Sequence, residues 1–516
     1  MRLSDALAKG YLPQELPPCF TSADFAVKVS SLPHPPSRDW RYPAKFSLTR
    51  AGGLRRSAEI PNPFSQYFLA ELCSQNWTQL QRLSAQSPIS LSRPVRGSHS
   101  SVRSLAYRRP IEEWGRELVA RMPGGRLTVR TDISQFYPSV YTHAVDWAIR
   151  GKKRAKQNIK KTGLGPELDK LLRNGRGGQT IGLSVGPDTS WVIAEVVLAK
   201  IDAELAKRHP STAKRCARFG DDMTFYASSH DEAHSVLATY QHLLSDFELA
   251  VNPNKVEVIE GLEPVEARWV RQLRTHRYRD YSDTNLAADI VDLFDLAFDE
   301  RQRHSTQGVM SYAIMRCNPF PVGKSSWPLY RDLVLASVGL EPSTLRHAYQ
   351  VLQFAKNRGL PVDEDQVSGV LNDLLARHAE LEHGFETAWI LFILRELGLP
   401  LESASGQAVA DMSDVCSLIL LKDICERSKR LMQSVDFNQA VKRAEADNAL
   451  NSSDWMLAYE YRHARWARPR NWDSIDGWRE ANRLGVSFFV TSIKMSKPLL
   501  RRRPPRFNPL WAYPVS

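Results

Sequence analysis

Residues 218–226 read RFGDDMTFY, in which two adjacent carboxylates, Asp221 and Asp222, precede an apolar, strand-like run. Earlier in the chain, residues 127–133 read LTVRTDI, a short β-rich run that contains Asp132 near its end. Asp221 and Asp222 taken alone are also compatible with a solvated turn, because Gly-Asp and Asp-Asp are common turn sequences. A hairpin that projects two carboxylates toward a third is stable only if cations neutralise them. The two segments together therefore predict a sheet edge that binds metal ions.

The chemistry of the predicted ligands narrows the choice of ion. Carboxylate oxygens are the ligands that Mg²⁺ prefers. Two Mg²⁺ ions about 4 Å apart can activate a 3′-hydroxyl group and stabilise a leaving pyrophosphate. We therefore expect a nucleotidyl-transfer site with two Mg²⁺ ions, for which Mn²⁺ can substitute.

The composition bounds the class of protein. The chain of 516 residues is 42% hydrophobic and 24% charged, a balance that excludes a mostly disordered chain, a collagen-like chain and a coiled-coil rod. Lysine and arginine number 69 against 57 aspartate and glutamate residues, so the formal net charge is +12. This excess favours a polyanionic partner without deciding between nucleic acid and an acidic protein or membrane surface.

Cysteine usage and hydropathy bear on the cellular compartment. The six cysteines form no C-x-x-C pair, and none lies beside histidines at zinc spacing, so we expect neither a disulfide framework nor a structural zinc site. The first residues lack the apolar core of a signal peptide, and no stretch approaches the roughly 18 apolar residues of a membrane span. A cytoplasmic protein without a membrane partner is expected.

The pattern of the chain changes twice. The first hundred residues are rich in Pro, Ser and Arg and predict irregular structure, with one amphipathic helix over Pro61–Trp77. Short β-rich runs at 127–129, 223–227 and 256–258 alternate with helical patterns and predict an α+β region.

Beyond residue 285 the strand signal fades and successive helices are expected. Two similar Gly/Pro stops, at 358–361 and 397–400, suggest stacked helical hairpins of HEAT-like type. The predicted helices span 290–301, 345–357, 367–381 and 385–397. The predicted domains are 1–126 (N-terminal extension and fingers), 127–284 (palm), 285–496 (α-helical repeat domain) and 497–516 (basic tail).

Four segments, in order, resemble the palm of a reverse transcriptase. Residues 132–140, DISQFYPSV, resemble the first palm motif, and residues 181–198, IGLSVGPDTSWVIAEVVL, resemble the second. RFGDDMTFY resembles the aspartate-pair hairpin, and residues 249–259, LAVNPNKVEVI, resemble the fourth motif. The resemblance implies an α+β fold with right-hand polymerase fingers and palm, built on an antiparallel sheet with helices.

The same resemblance implies a role for particular residues. Tyr137 would screen the sugar, Gly186 and Ser190 would shape the backbone under the nucleotide, and Lys255 would lie near the triphosphate. The implied metal ligands are Asp132, the Ile133 carbonyl group, Asp221 and Asp222.

Two departures from the reverse-transcriptase pattern matter. Residues 219–222 read FGDD instead of Y-x-D-D, and the G-D-D ending also occurs in viral RNA-directed RNA polymerases. Tyr137 stands where those polymerases carry an aspartate for the ribose hydroxyl, and a bulky ring there favours deoxynucleotides. Val185 occupies the place of the usual glutamine of the second motif, which leaves templated and template-independent synthesis both open.

The resemblance extends to the bacterial antiphage-defence reverse transcriptases, the abortive-infection and unknown-group lineages. Residues 11–20, YLPQELPPCF, and 378–389, HAELEHGFETAW, carry it outside the palm. Some relatives prime from a protein hydroxyl and extend DNA without a template, others copy a companion noncoding RNA, and several form homo-oligomers. The implied partners are deoxynucleoside triphosphates, RNA or DNA and further copies of the chain. The alternatives are a protein-primed terminal transferase and an inactive nucleic-acid-binding scaffold.

Basic segments flank the predicted palm. Residues 152–161 could line a nucleic-acid groove or form a solvated face. Arg501–Arg503 and Tyr513 suggest a tail that binds nucleic acid or a neighbouring subunit, and a solvated basic end is the alternative. His143 is expected to be a packed or capping histidine. A primer-gripping role is considered for five arginines: Arg268, Arg271, Arg274, Arg277 and Arg279.

Overall fold

The computed structural model describes residues 1–33, 39–98, 100–158, 162–279, 282–317, 322–468 and 477–492. The strands are β1 (Ala44–Thr49), β2 (Arg55–Ile60), β3 (Pro94–Arg96), β4 (Leu105–Tyr107), β5 (Leu127–Asp132), β6 (Cys216–Phe219), β7 (Asp222–Ala227) and β8 (Glu257–Glu260). The α-helices are α1 (Leu3–Ala8), α2 (Ala23–Lys28), α3 (Pro63–Gln75), α4 (Trp77–Ser84), α5 (Trp114–Val119), α6 (Phe136–Ser139), α7 (Thr142–Arg150), α8 (Lys152–Gln157), α9 (Leu164–Asn174), α10 (Asp188–Arg208), α11 (Pro210–Ala213), α12 (His230–Ser245), α13 (Arg268–Thr275), α14 (Asp283–Arg303), α15 (Val309–Cys317), α16 (Ser326–Leu340), α17 (Leu345–Asn357), α18 (Glu364–Glu380), α19 (Gly384–Leu397), α20 (Ser403–Ala410), α21 (Val415–Glu426), α22 (Lys429–Ser434), α23 (Asn438–Ala444), α24 (Trp455–His463) and α25 (Trp478–Arg483).

A four-stranded antiparallel sheet forms the centre of the α+β region. Its strand order is β6-β7-β5-β8, and helices α10 and α12 pack together beside it. Leu127 and Val129 of β5 and Met223 and Phe225 of β7 are buried, because alternate residues of a strand point to the same face of the sheet. The sheet and its helices confirm the predicted α+β class.

The first hundred residues are more regular than we expected. Strands β1 and β2 form an antiparallel hairpin, and the prediction of irregular structure is wrong there. Ala44, Phe46 and Leu48 are buried along one face of β1, which is the period-2 pattern of a half-buried strand. Three polar residues alternate with them, and this dilutes the apolar signal. We name this β1–β2 unit the fingers hairpin.

The helix predicted over Pro61–Trp77 corresponds to α3, and the helix that follows it, α4, was not predicted. Helix α3 ends at Gln75, and α4 begins at Trp77. The side chain of Asn62 accepts a hydrogen bond from the backbone N–H of Phe64 and so caps the start of α3. Asn76 separates the helices, and its amide group donates to the Leu72 carbonyl at the end of α3.

The C-terminal half is helical as predicted. Helix α17 has the predicted bounds, while α14, α18 and α19 overlap the predicted ranges. Contacts between α18 and α20 and between α19 and α21 join helices that are next but one in the chain. The HEAT-like repeat and the domain boundaries stay predictions, and the predicted tail 497–516 lies outside the described residues.

Two further observations concern the expected compartment. Cys19, Cys73, Cys216, Cys317, Cys416 and Cys425 are all buried and form no disulfide. Within the described part of the chain, the helices do not combine the length and apolar character that crossing a bilayer requires.

Candidate active site

The register of the central sheet brings three carboxylates together. Strands β5 and β7 pair so that Asp132 lies directly opposite Asp222, and Asp221 occupies the turn between β6 and β7. Gly220 enters this turn with φ +58°, a left-handed conformation that glycine adopts without steric penalty. The hairpin predicted from the sequence therefore places Asp221 and Asp222 next to Asp132, the last residue of β5.

The three carboxylates destabilise one another when ionised. Burial, followed by the charges of Asp221 and Asp132, raises the pKa of Asp222 to about 6. Burial and the charge of Asp132 likewise raise the pKa of Asp221 above its ordinary value. The Oδ1 atom of Asp132 is buried and has no hydrogen-bond partner. A site with three clustered carboxylates and an orphaned oxygen fits a hard divalent cation such as Mg²⁺.

Lys255 and Ile133 both lie at this edge. The ammonium group of Lys255 forms an ion pair with the Oδ2 atom of Asp132, so this lysine contacts one of the predicted metal ligands. The backbone of Ile133 bridges to Val251, and the backbone N–H of Asn252 donates to the Asp132 carbonyl. These bonds hold the fourth motif against the end of β5. The triphosphate role of Lys255 and the ligand role of the Ile133 carbonyl stay predictions.

Tyr137 lies close enough to the carboxylates to interact with them. Burial, followed by the charges of Asp221 and Glu195, raises the pKa of Tyr137. The phenol is therefore neutral and its ring is packed beside the aspartate turn. The backbone N–H of Leu183 donates to the Tyr137 carbonyl, which connects the first motif to the second. Its role in sugar selection stays a prediction.

Gly186 and Ser190 shape the backbone before and within the first turn of α10. Gly186 has φ +130°, and a Cβ atom there would approach Pro13 to 2.8 Å. Ser190 is buried, so its part is structural support below the surface. The helix begins at Asp188, whose carboxylate pairs with Arg103 at 2.5 Å. The nucleotide-binding roles of Gly186 and Ser190 stay predictions.

A buried ionic cluster that the sequence analysis missed supports the aspartate turn. The Arg218 guanidinium contacts Glu195 at 3.0 Å and Asp202 at 2.8 Å, and all three side chains are buried. Its Nη1 atom also donates to the Gly220 carbonyl at 2.7 Å. Ser92 completes the support, because its hydroxyl oxygen accepts from the Gly220 N–H at 2.9 Å and donates to Glu195.

The two acids of this cluster share one cation. Burial raises the pKa of Glu195, but Arg218 together with hydrogen bonds from Ser92 and Ser90 outweighs burial and lowers that pKa. For Asp202, burial outweighs Arg218 and raises the pKa. Opposite shifts are expected where a single guanidinium neutralises one acid more fully than the other. No short motif signals this cluster, since its members come from β6 and from two turns of α10.

The fingers hairpin brings two arginines toward the carboxylates, and these were also missed. Arg50 interacts electrostatically with Asp221, Asp132 and Asp222. Arg56 interacts with Asp221. Both arginines are therefore near enough to the carboxylates to offset part of their negative charge. The alternating pattern of residues 44–49 and the glycines at 52 and 53 were the signals in the sequence that could have found this hairpin.

The basic segment 152–161 makes some contacts with residues near it. Lys152 lies 4.4 Å from the centre of the Trp147 ring and 3.6 Å from Glu248, whereas residues 159–161 lie outside the described part of the chain. His143 pairs with Asp169 at 2.8 Å, as expected of a packed histidine.

The five arginines near the end of the palm divide into two groups. Arg274 pairs with Glu266, and Arg279 pairs with Asp289, each at 2.6 Å. Arg268, Arg271 and Arg277 are exposed and are the members available to a polyanion. The segment with Arg501–Arg503 and Tyr513 lies outside the described residues.

Part of the chain is similar to a known protein family. Residues 68–279 match the family model described as "Reverse transcriptase (RNA-dependent DNA polymerase)". The matched range contains the three aspartates, Tyr137, Gly186, Ser190 and Lys255. Over this range the chain is therefore similar to reverse transcriptases, and the fingers hairpin lies just before the matched range.

Two solved structures also align with the chain. Apo telomerase from Candida tropicalis aligns with a TM-score of 0.32 and 10% identity, over 80% of this chain and 72% of that chain. Telomerase from Candida albicans in complex with the TWJ fragment of telomeric RNA aligns with a TM-score of 0.26 and 10% identity, over 61% and 62%. TM-scores this low carry no argument about this chain. No curated protein matches the sequence.

Proposed function

We propose that the chain is a DNA polymerase of reverse-transcriptase type that joins deoxynucleotides by two-metal catalysis. The observation that carries the proposal is the β5–β7 register, which sets Asp132 opposite Asp222 with Asp221 in the adjoining turn. Asp132, Asp221, Asp222 and the Ile133 carbonyl would hold two Mg²⁺ ions. Bound there, the ions would supply an activated hydroxyl nucleophile and stabilise the charge of the leaving pyrophosphate.

The residues around the carboxylates would bind and position the substrate. Arg50 and Arg56 face the acidic edge from the fingers hairpin and would attract the triphosphate of a deoxynucleotide. The Tyr137 ring would exclude a 2′-hydroxyl. Lys255 would leave its ion pair with Asp132 and bind the triphosphate when metal ions and nucleotide occupy the site. Gly186 and Ser190 would support the backbone beneath the nucleotide.

The proposal assigns one task to each predicted domain. Residues 1–126 would supply the fingers, 127–284 the palm and 285–496 the α-helical repeat domain, while the basic tail at 497–516 would bind nucleic acid or a neighbouring copy. The polymerase would act in the cytoplasm as a homo-oligomer.

Incorporation of labelled deoxynucleotides on a primed RNA template tests the central claim. Wild-type protein is expected to extend the primer only with Mg²⁺ or Mn²⁺, and the double variant Asp221→Asn, Asp222→Asn is expected to be inactive. The matched control is Asp292→Asn, Asp295→Asn, which removes two exposed aspartates from α14 and should retain full activity. Wild-type protein that binds nucleic acid but incorporates nothing would support the inactive scaffold.

A second candidate is a protein-primed terminal transferase on the same fold. Val185 favours this candidate, because its apolar side chain stands where the usual glutamine would make a polar contact. The backbone carbonyl of Val185 accepts a hydrogen bond from the N–H of Glu59. Nuclease-treated protein would be incubated with each deoxynucleotide and no template, and the product run on a denaturing gel before and after proteinase. A product whose mobility changes after proteinase digestion supports this candidate, whereas activity that returns only with RNA supports templated synthesis.

We also propose a cellular role in antiphage defence. The support is the resemblance of residues 11–20 and 378–389 to the bacterial defence lineage. Bacteria that express the wild-type chain are expected to form fewer plaques with sensitive phages than bacteria that express Asp221→Asn, Asp222→Asn. Equal plaque counts for both strains across a broad phage panel would contradict this role.

A further inference from the structure

Two histidines and a glutamate converge where α18 ends and α19 begins. His378 lies in the last turn of α18, His383 directly precedes α19, and Glu386 lies in its first turn. One ligand atom from each of the three residues lies within 4.8 Å of the other two. The Nδ1 atoms of the two histidines are 3.0 Å apart. The cluster uses no cysteine, which is why the sequence analysis did not predict a zinc site.

The glutamate is only half satisfied. Glu386 is 1% exposed, and its Oε1 atom accepts a hydrogen bond from Arg55 at 2.5 Å. Its Oε2 atom is buried without a hydrogen-bond partner. An unsatisfied buried carboxylate oxygen is destabilising. A hydrogen bond between the two imidazoles would not relieve it, whereas a cation between the three groups would satisfy all of them at once.

The ligand set selects the ion. We propose that His378, His383 and Glu386 form a binding site for a divalent transition metal ion, with Zn²⁺ as the ion of best fit. Two imidazole nitrogens and one carboxylate oxygen are a common zinc ligand set, with water completing the tetrahedron. Mg²⁺ prefers oxygen ligands alone, so this site and the three aspartates call for different ions.

The geometry and charge state agree with this assignment. Zinc–nitrogen bonds of about 2.0–2.1 Å place two tetrahedral nitrogens about 3.3 Å apart, close to the 3.0 Å between the Nδ1 atoms. Burial lowers the pKa of both His378 and His383, which favours the neutral imidazole that binds metals. Arg55 donates a hydrogen bond to the Oε1 atom of Glu386, and this bond would orient the carboxylate toward the ion.

The position of the site suggests what the ion does. Arg55 belongs to β2 of the fingers hairpin, and its guanidinium also donates to the carbonyl and hydroxyl oxygens of Ser47 in β1. Glu386 therefore connects the helical region to both strands of the fingers hairpin. An ion that fixes Glu386 would brace this contact. Metal binding by these three residues does not require the proposed polymerase activity.

Metal content of the full-length protein tests the site. Chelator-stripped wild-type protein would be incubated with Zn²⁺ alone, desalted and analysed by mass spectrometry, and we expect one zinc ion per chain. The double variant His378→Gln, His383→Gln should lose at least about 90% of this zinc. Glu386→Gln should bind it at least about 10-fold more weakly, because losing a ligand costs no less than losing a group that only orients one. Co²⁺ in place of Zn²⁺ should give visible absorption bands in wild-type protein that the double variant lacks.

Competing surface sites are controlled in the same experiment. His230 and His234 lie one turn apart on α12, and His230 contacts Glu260 at 2.5 Å. His230→Ala, His234→Ala should keep the zinc ion and the cobalt bands. Loss of zinc in this variant, or equal zinc in wild-type protein and His378→Gln, His383→Gln, would overturn the assignment. If the glutamine variant does not fold, Glu386→Gln decides the question by its zinc affinity. Nucleotide incorporation depends on the aspartates, so its presence or absence does not affect this result.

Discussion

The palm hairpin β6–β7 and the fingers hairpin β1–β2 are both antiparallel, yet they carry opposite charge and are stabilised differently. The palm hairpin presents Asp221 and Asp222, and it is held by pairing of β7 with β5 and by the buried guanidinium of Arg218. The fingers hairpin presents Arg50 and Arg56, and no third strand pairs with it among the residues that the structure describes. An isolated two-stranded hairpin is marginally stable.

Contacts from distant parts of the chain therefore hold the fingers hairpin. Glu59 forms an ion pair with Arg176, its N–H donates to the Val185 carbonyl, and Arg55 pairs with Glu386. The palm hairpin depends on its own sheet and on two buried acids of α10, whereas the fingers hairpin depends on the second motif and the helical region. This difference teaches that the acidic half of the site can be recognised locally, but the basic half cannot.

The largest expected effect is on the palm hairpin. Arg218→Met should lower the free energy of unfolding by about 3–5 kcal/mol, because it leaves the buried Glu195 and Asp202 without a cation. Chemical denaturation followed by circular dichroism measures this loss. The triple variant with Glu195→Gln and Asp202→Asn should recover most of the stability.

A control on α10, the helix that carries Glu195 and Asp202, distinguishes the effect of a buried charge from that of an exposed charge. Lys200 and Glu204 form a partly exposed ion pair on α10, and Lys200→Ala should cost less than about 0.5 kcal/mol. If Arg218→Met were no worse than Lys200→Ala, buried charge would not be what holds the palm hairpin.

The next largest effect is expected on kcat/KM when the fingers hairpin loses an arginine. Arg56→Ala should lower kcat/KM for deoxynucleotides by about 10- to 100-fold, because a charge-assisted contact contributes about 1.5–3 kcal/mol. Steady-state incorporation measures it. Lys45→Ala removes an exposed cation from the opposite face of the same hairpin and should change kcat/KM less than twofold. Equal losses in both variants would point to general charge attraction.

A smaller effect is expected at the serine beneath the aspartate turn. Ser92→Ala leaves the Gly220 N–H without its acceptor and removes one donor to Glu195. The free energy of unfolding should fall by about 1–2 kcal/mol, and Ser92→Thr should retain most of it. Denaturant titration measures both variants, and an unchanged midpoint for Ser92→Ala would argue against its supporting role.

The smallest expected effect is a pH dependence of the metal-free protein. The pKa of Asp222 is about 6 in the folded state and about 3.9 when unfolded, so the folded state binds more protons between these values. Stability should therefore fall as the pH rises from about 4 to about 6. Because part of the Asp222 side chain is in contact with solvent, screening keeps the effect small.

Thermal melting across this pH range measures the dependence. Asp222→Asn should flatten the curve, and Mg²⁺ at neutral pH should raise the melting temperature of wild-type protein more than that of the variant. A wild-type melting temperature that increases steadily from pH 4 to pH 6 would contradict the raised pKa.

The sequence by itself determined the α+β class, the order of the palm segments, the aspartate hairpin and the helical C-terminal half. These features have local signals: alternating or helical spacing of apolar residues, Gly/Pro stops, and a short motif in which neighbouring residues share one strand or turn. Helix α17 was predicted with its bounds because its apolar face repeats without interruption. The helix predicted over Pro61–Trp77 extended past the end of α3 because the apolar spacing continues across Asn76 to Trp77.

Only the tertiary structure decided what surrounds the aspartates. Arg218 meets Glu195 and Asp202 because β6 packs on α10, Arg50 and Arg56 reach the site because the fingers hairpin folds toward it, and Glu386 meets Arg55 across 331 residues. Long-range packing makes each of these contacts, and no spacing along the chain records it. A single charged residue in a sequence shows neither its burial nor its partner, and these two properties determine its energetic role.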